Sequence, residues 1–234
     1  MTTNIIPISK TTSIALWTLC CMLFLSTTGY AQTTVDTIPA SQYFAKADTL
    51  LTHRKLDSAI VYFKKALPIY TKAKSWERVA RYYNKISECQ WRDKKYKESL
   101  TNAKQAIAIS DQYLPKNNRE KAYGFDNIGQ YFYSKRLNYK KASLFYQKAL
   151  KIKLMVFPKD HLFVAGSYLN IGNALLMWRK YDEALEYYKK AIIIWEDKLG
   201  ADHIDISDLY FNMSLVYFNK QKYDKALLYS NKSF

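Results

Sequence analysis

The sequence repeats one pattern five times between about residue 40 and residue 234, at intervals of 40 to 43 residues. Three columns of small residues keep this register, one in the first half of each copy and two in the second half. The columns are Ala47, Ser87, Gly129, Gly172 and Ser214; Ala59, Ser99, Ala142, Ala184 and Ala226; and Ala66, Ala106, Ala149, Ala191 and Ser233. A fixed period of this size predicts a solenoid, in which each unit buries its apolar face only against its neighbours.

The small columns have a packing reason. Helix axes approach to about 8–10 Å at a crossing, and small side chains permit the closest of these approaches. Large residues flank the crossings: Ile86, Ile128, Ile171 and Met213 in the first helices, and Phe63, Tyr146 and Tyr188 in the second. The sequence therefore predicts an all-α fold, an α-solenoid of about five helical hairpins. Weaker interfaces are expected where Lys46, Ala103 and Ser230 replace large apolar residues.

At these columns the chain resembles the tetratricopeptide repeat family, most clearly from Tyr168 to Ala191. The long period, with Asp160-His161 and Asp202-His203 before two of the first helices, resembles the kinesin-light-chain type of repeat. The resemblance covers roughly residues 40–234, with repeats near 40–75, 76–115, 119–158, 161–200 and 203–234. It implies antiparallel helix pairs stacked in a right-handed superhelix.

Within the repeats, first helices are predicted near 40–53, 76–93, 119–135, 161–178 and 203–220. Second helices are predicted near 56–72, 96–112, 139–155, 181–198 and 223–234. Pro68 lies inside a second helix and predicts a kink or an early end, because proline removes a backbone donor. Asp202 and Asp205 are expected to cap the start of one helix, and Gly200 is expected to end the helix before it.

Residues 1–31 are predicted to be a signal peptide, and residues 32–39 a short extended lead. An apolar run follows Lys10, and Gly29 and Ala31 occupy the positions that a signal peptidase reads, which predicts cleavage before Gln32. The run from 14 to 25 is shorter than the roughly 20 residues that a bilayer span needs. An uncleaved anchor is the alternative, and lipidation is less favoured. Export to the periplasm or the exterior leaves Cys89 as the single cysteine, expected to pack as a small hydrophobe.

The chain is basic, with a formal net charge of +16. Lysines recur in the middle of the second helices and are expected to form a stripe on the convex surface: Lys64, Lys65, Lys104, Lys148, Lys189, Lys190 and Lys232. A solvated face accounts for such a stripe, and attraction to an anionic membrane or envelope surface is the sharper alternative. Nucleic acid is an unlikely partner, since no recognised nucleic-acid motif accompanies the charge.

No catalytic, metal or cofactor site is predicted. His161 and His203 occupy the same repeat position, too far apart to share a metal whose nitrogen ligands lie near 2 Å, and His53 has no partner in the sequence. The chain is therefore predicted not to be an enzyme.

A column of asparagines is the predicted binding site. Asn127, Asn170 and Asn212 each precede the packed Ile or Met of their first helix, and repeat two offers Asn84 one place early. In the resembling family this position faces the concave groove, where a carboxamide bonds a peptide backbone through both its donor and its acceptor. The same mapping adds further groove residues: Arg81, Glu88, Trp91, Tyr133, Asn173, Leu176, Phe211 and Phe218. The alternative is that these asparagines bond across adjacent helices and hold the superhelix together.

Three functions follow. The favoured one is a non-enzymatic scaffold that binds an extended segment of another protein in its groove. In the second, the chain is the recruiting arm of a longer effector such as a CHAT-type protease or a sensor kinase. This function is suggested by the last repeat, which stops without a polar capping helix. A dimer that buries the open end also explains that stop. The third function is attachment to an anionic envelope surface through the lysine stripe.

Overall fold

The computed structural model describes residues 35–135, 138–200 and 203–233, and these ranges contain ten α-helices and no strand. First helices of the five hairpins are α1 Ile38–Thr52, α3 Trp76–Arg92, α5 Arg119–Ser134, α7 Leu162–Met177 and α9 Ile204–Asn219. Second helices are α2 Leu56–Lys72, α4 Tyr96–Tyr113, α6 Tyr139–Val156, α8 Tyr181–Leu199 and α10 Tyr223–Asn231. The predicted solenoid is confirmed. The predicted signal peptide lies outside the described residues, as does Asp202.

Each helix packs chiefly against the next one in the chain, as a stack of hairpins requires. First helices of neighbouring repeats also touch one another, most extensively α3 with α5, and α7 with α9. No two second helices in the described part of the chain pack together to that extent. The first helices therefore lie on the tighter, inner side of the stack, and their free faces form the groove.

Glycines in the first small column let large rings of the second helix reach the helix backbone. A Cβ atom placed on Gly129 would lie 2.7 Å from the ring of Tyr146, and one on Gly172 would lie 2.5 Å from the ring of Tyr188. In repeat two the ring is replaced by Ala103, and the column holds Ser87, whose hydroxyl bonds the backbone and side chain of Ser99. The smaller side chain of Ala103 on the second helix is thus matched by a residue larger than glycine, Ser87, in the first small column. Ala103 is fully buried.

In four of the five hairpins, the turn between the two helices contains a left-handed residue other than glycine. Arg54, Lys94, Arg179 and Gln221 have φ between 57° and 62°. The residue after each donates its backbone N–H to the carbonyl five positions earlier, as in Lys95 to Gln90 at 2.8 Å. This bond closes the helix end and holds the strained residue in place.

Two local predictions are corrected. The helix α2 continues through Pro68 to Lys72, because the exposed proline leaves Phe63, Ala66 and Tyr70 buried on the opposite face. The start of α9 is capped by His203, whose Nδ1 accepts from the N–H of Asp205 at 3.2 Å, and not by the side chain of Asp205. His161 caps α7 in the same way, whereas Gly200 ends α8 with φ 85° as expected.

The apolar core is divided into two clusters. One is built from α1 to α3 and reaches from Ala40 to Cys89, and the other is built from α6 to α9 and reaches from Ala142 to Val216. Between them lies α4, whose buried residues are all small: Ser99, Ala103, Ala106 and Ser110. The contact between α3 and α5 at this place is largely polar. We call this region the junction, meaning α4 together with the facing surfaces of α3 and α5.

No helix in the described ranges is long and apolar enough to cross a bilayer. Cys89 is fully buried, and burial raises the pKa of its thiol to about 12, so it packs as a small hydrophobe as expected.

Candidate functional site

The asparagine column forms bonds between repeats in two places. The Nδ2 group of Asn127 donates to the backbone carbonyl of Asn84, one repeat earlier, at 3.1 Å. The Nδ2 group of Asn212 donates to Oδ1 of Asn173, also one repeat earlier, at 3.3 Å. Both bonds run from a first helix back to the preceding first helix. They use the amide donors and leave Oδ1 of Asn127 and Oδ1 of Asn212 without a partner among the described residues.

Asn84 and Asn170 behave differently from each other. Asn84 is buried, and its amide donates to the backbone carbonyl of Glu120 at 2.8 Å and to Oε2 of the same residue at 3.1 Å. Its predicted place among the groove amides is therefore corrected, because its donors are consumed inside the junction. Asn170 is half-buried and makes no side-chain hydrogen bond to any described residue, so its whole carboxamide is free.

A second amide row lies one turn further along the first helices. The hydroxyl of Tyr146 donates to Oε1 of Gln130 at 2.9 Å, and the hydroxyl of Tyr188 donates to Oδ1 of Asn173 at 2.8 Å. The buried rings thus orient these two amides. Asn173 accepts two bonds on its oxygen, which leaves its Nδ2 group for the groove.

A cavity of about 300 Å³ opens in the groove at the junction. Four of the predicted groove residues line it: Arg81, Asn84, Glu88 and Asn127. The other lining residues are Lys85, Arg119, Glu120, Tyr123, Asp126 and Phe163. The structure therefore brings part of the predicted site together around one concave space, and it adds two acidic and two aromatic side chains that sequence reasoning missed, Glu120, Asp126, Tyr123 and Phe163.

Glu120 is the centre of charge pairing in this cavity. Its side chain is fully buried and receives Nε of Arg81 at 2.9 Å in addition to the amide of Asn84. Arg81 reaches Glu77 on its other side at 2.6 Å. Arg119 stands 3.5 Å from the same Glu120 oxygen. A glutamate at a helix start is an ordinary sequence feature, so nothing in the sequence marked Glu120 as a buried partner.

A second ion pair lies within repeat three, and its lysine also forms hydrogen bonds to repeat four. The ammonium of Lys153 lies 2.6 Å from Oδ2 of Asp126, and it donates to Oγ of Ser167 at 2.7 Å and to the carbonyl of Phe163 at 3.4 Å. Lys153 is 4% exposed. Burial raises the pKa of Asp126, and the charge of Lys153 opposes that rise.

The alignment of the repeats could have identified Lys153 as a buried charge. Its column is otherwise occupied by residues that are also buried but uncharged: Tyr70, Ser110 and Trp195. A lysine in a buried column requires a partner. Asp126 occupies the column of Leu169, which packs against the apolar core.

Aromatic residues flank the amides along the groove. Trp91 and Tyr133 are partly buried, and Tyr133 meets Tyr139 with ring centroids 5.7 Å apart. Phe211 and Phe218 are exposed by 50% and 60%, so the end of the groove near α9 offers an apolar surface.

The lysine stripe lies on exposed positions of the second helices, away from the groove. In four repeats its lysine stands over two rings, one from each helix of the hairpin, as Lys190 does over Tyr168 and Tyr187 at 5.9 and 5.3 Å. The other lysines in this arrangement are Lys65, Lys148 and Lys232. Contacts inside each hairpin therefore account for these positions without a ligand.

In the described part of the chain, no group of three or more His, Cys, Asp or Glu side chains is arranged to hold a metal ion. His161 and His203 have their Nδ1 atoms engaged as helix caps.

Residues 163–234 match the family model of the tetratricopeptide repeat. No curated protein matches the sequence significantly.

Solved structures extend the similarity over most of the chain at low identity. BtubC from P. vanneervenii is 18% identical, with 84% of this chain and 87% of that chain covered and a TM-score of 0.65. A Rap protein complexed with Competence and Sporulation Factor is 20% identical, with 87% of this chain and 55% of that chain covered and a TM-score of 0.69. A kinesin-light-chain-type protein of Podosopora anserina with nearly identical TPR-like repeats is 12% identical, with 83% and 93% covered and a TM-score of 0.66.

The chain spans about half the length of that Rap protein. At these identities the similarity concerns the fold. The family model matches the last two repeats, and the first three build the same hairpin with the same small columns. The last two repeats thus match the tetratricopeptide repeat family, and the array as a whole has the fold of a solved structure with TPR-like repeats.

Proposed function

We propose that this protein is a non-enzymatic scaffold that binds an extended segment of another protein along the groove of its first helices. The observation that carries the proposal is the set of unused amide atoms in that groove. These are Oδ1 of Asn127, both ends of Asn170, Nδ2 of Asn173 and Oδ1 of Asn212.

The chemistry of these atoms suits a peptide backbone. Each residue of an extended segment carries one N–H donor and one carbonyl acceptor, and a carboxamide complements either of them without reading the side chain. The amides are held in position before a ligand arrives, because Asn127, Asn173 and Asn212 are each tied to neighbouring residues. Such pre-organisation reduces the entropy lost on binding.

Exposed rings supply the apolar part of the interface. Phe211, which precedes Asn212 in the sequence, and Phe218 are exposed on α9, where the side chains of a bound segment would cover them. Aromatic anchors dominate the energy of many protein interfaces. The similarity to a Rap protein crystallised with a factor supports the proposal at the level of the fold.

An array of immobilised, unstructured peptides tests the proposal. Asn170→Ala and Phe218→Ala are expected to reduce the binding of the retained peptides by about tenfold each, since a hydrogen bond or a buried ring contributes on the order of 1–2 kcal/mol. Matched controls lie on second helices: Gln105→Ala removes an exposed amide, and Ile193→Ala removes an apolar side chain that is 68% exposed. Equal losses in the controls and in the groove variants would contradict a groove site.

A further inference from the structure

We propose that the cavity at the junction is a subsite for a primary ammonium group, with Oδ1 of Asp126 as its principal acceptor. The ammonium would come from the free N-terminus or from a lysine side chain of the bound segment. The inference rests on the proposed function, because the cavity is part of the same groove.

The first step concerns the unused oxygen. Oδ1 of Asp126 is shielded from solvent and has no hydrogen-bond partner, although the carboxylate lines the cavity. The other oxygen is fixed by Lys153, which is itself held by Ser167 and by the carbonyl of Phe163. The carboxylate therefore cannot turn to satisfy Oδ1 without losing Lys153. A buried acceptor without a donor is costly, so a ligand donor at this place is favourable.

The second step concerns the other groups in the cavity. The amide donors of Asn84 and Asn127 point at acceptors of the protein, so Asn127 is left with a free oxygen next to Asp126 in sequence. Glu88 also lines the cavity and adds negative charge to it, although its carboxylate is paired with Arg92 at 2.8 Å and with Lys85 at 3.6 Å. An ammonium has three donors and no acceptor, and it matches a cavity whose unused atoms around Asp126 are acceptors.

The third step concerns competing cations. Arg81 is engaged by Glu77 and Glu120, and Lys85 is engaged by Asp48 at 3.0 Å and by Glu88 at 3.6 Å. Their charges are thus balanced by carboxylates of the protein. Arg119 also lines the cavity, where its buried Nε has no hydrogen-bond partner, lies 3.5 Å from Glu120, and belongs to a guanidinium 5.8 Å from the Tyr123 ring centroid. Arg119 precedes Asp126 by seven residues on α5, which separates their backbones by roughly 10 Å along the helix axis.

The aromatic walls favour the same ligand. Tyr123 and Phe163 line the cavity with ring centroids 5.7 Å apart. Lys153 already places its ammonium 5.6 Å from the Tyr123 ring, so the ring tolerates a cation at that distance. Ring faces attract cations, and their apolar surface accommodates the methylene groups of a lysine.

Four synthetic octapeptides of alanine and serine, titrated into the full chain by NMR or calorimetry, test the proposal. One has a free N-terminus, the second is acetylated there, the third is acetylated and carries a central lysine, and the fourth carries acetyl-lysine instead. At least one peptide with a free ammonium is expected to bind about tenfold or more tightly than its acetylated twin, as befits a charge-assisted hydrogen bond. If the first peptide binds more tightly, the ammonium comes from the chain end. If the third peptide binds more tightly, the ammonium comes from the lysine side chain.

Variants locate the effect. Asp126→Asn is expected to remove the preference for the free ammonium, and Glu88→Gln, which leaves the Asp126–Lys153 pair intact, is expected to reduce it. Asp182→Asn is the control, because this carboxylate pairs with Lys220 outside the cavity. A preference that survives Asp126→Asn in a folded protein overturns the inference, as does a wild type that binds none of the peptides.

The two proposals fail in different ways. If all four peptides bind equally and Asn170→Ala still weakens them, the groove binds peptides and the ammonium subsite does not exist. If the ammonium preference depends on Asp126 while the groove variants bind array peptides normally, the cavity is a separate site and the extended groove is wrong.

Discussion

At the scale of single residues, the buried polar side chains are distinguished by the partners that their atoms bond within the protein. Lys153 and Asp126 form a charged pair in columns that hold Trp195 and Leu169 in the next repeat. A buried pair is weak support for stability, because the desolvation of both charges offsets their attraction. We therefore interpret the pair as fixing the position of Oδ1 of Asp126, and we do not expect it to increase the free energy of unfolding.

Single and double variants of Lys153 and Asp126 distinguish the cost of removing one charge from the cost of removing both. Lys153→Met or Asp126→Leu alone is expected to lower the free energy of unfolding by roughly 3–5 kcal/mol, because each leaves one charge buried without its partner. The double variant reproduces the apolar character of repeat four and is expected to be as stable as the wild type or more stable. Urea unfolding of the three variants measures this. Additive losses in the double variant would show that the pair is not coupled.

The asparagines make a second prediction at this scale. Asn127→Ala removes a bond to the preceding first helix and is expected to cost about 1 kcal/mol of stability. Asn170→Ala removes no side-chain hydrogen bond to a described residue and is expected to leave the stability within about 0.5 kcal/mol. Thermal unfolding of both variants checks this difference. A large loss for Asn170→Ala would mean that its amide has a structural role, which would weaken its assignment to the groove.

At the scale of elements, size matching between the two helices of a hairpin decides the packing. Gly172 meets the ring of Tyr188, whereas Gly166 on the same helix has no atom within 4 Å of where its Cβ would lie. The two glycines of α7 thus differ only in what they face, and they form a natural pair for comparison.

Alanine at these positions is expected to act in opposite directions. Gly172→Ala forces its methyl group into the Tyr188 ring and is expected to destabilise the protein by about 1–3 kcal/mol. Gly166→Ala is expected to stabilise it by about 0.5–1 kcal/mol, because alanine lowers the backbone entropy of the unfolded chain. Melting temperatures of the two variants give the signs directly. Destabilisation by Gly166→Ala would show that this face of α7 is occupied.

At the scale of the whole molecule, the solenoid has two apolar clusters joined by a polar junction. The bonds that cross from α3 to α5 there converge on Glu120, which takes Arg81 and Asn84. Repeats exchange stability only with their neighbours, so the coupling between the two ends of the array passes through this junction. The proposed ammonium subsite lies in the same place, so an occupant there would contact both halves.

Glu120→Ala is expected to uncouple the two clusters. The loss should approach 3–5 kcal/mol, because Arg81 is left partly buried beside an empty site. Hydrogen exchange is expected to show protection falling first in α1 to α3, while α6 to α9 keep theirs. Glu77→Ala is the control, since Glu77 binds the same arginine at the surface and a surface pair is worth about 0–1 kcal/mol. A uniform loss of protection along the array would contradict an uncoupled junction.

The sequence alone determined the hairpins, their period and the placement of the small columns, and helix bounds were predicted to within about three residues. It did so because size alternation and hydrophobic periodicity are local, and each repeat records them again. Only the tertiary structure decided that Asn84 is consumed by Glu120, that Lys153 pairs with Asp126, and that Asn170 stays free. A polar side chain reaches its partner across the interface between neighbouring helices or repeats, and no local pattern states which of several acceptors it will meet.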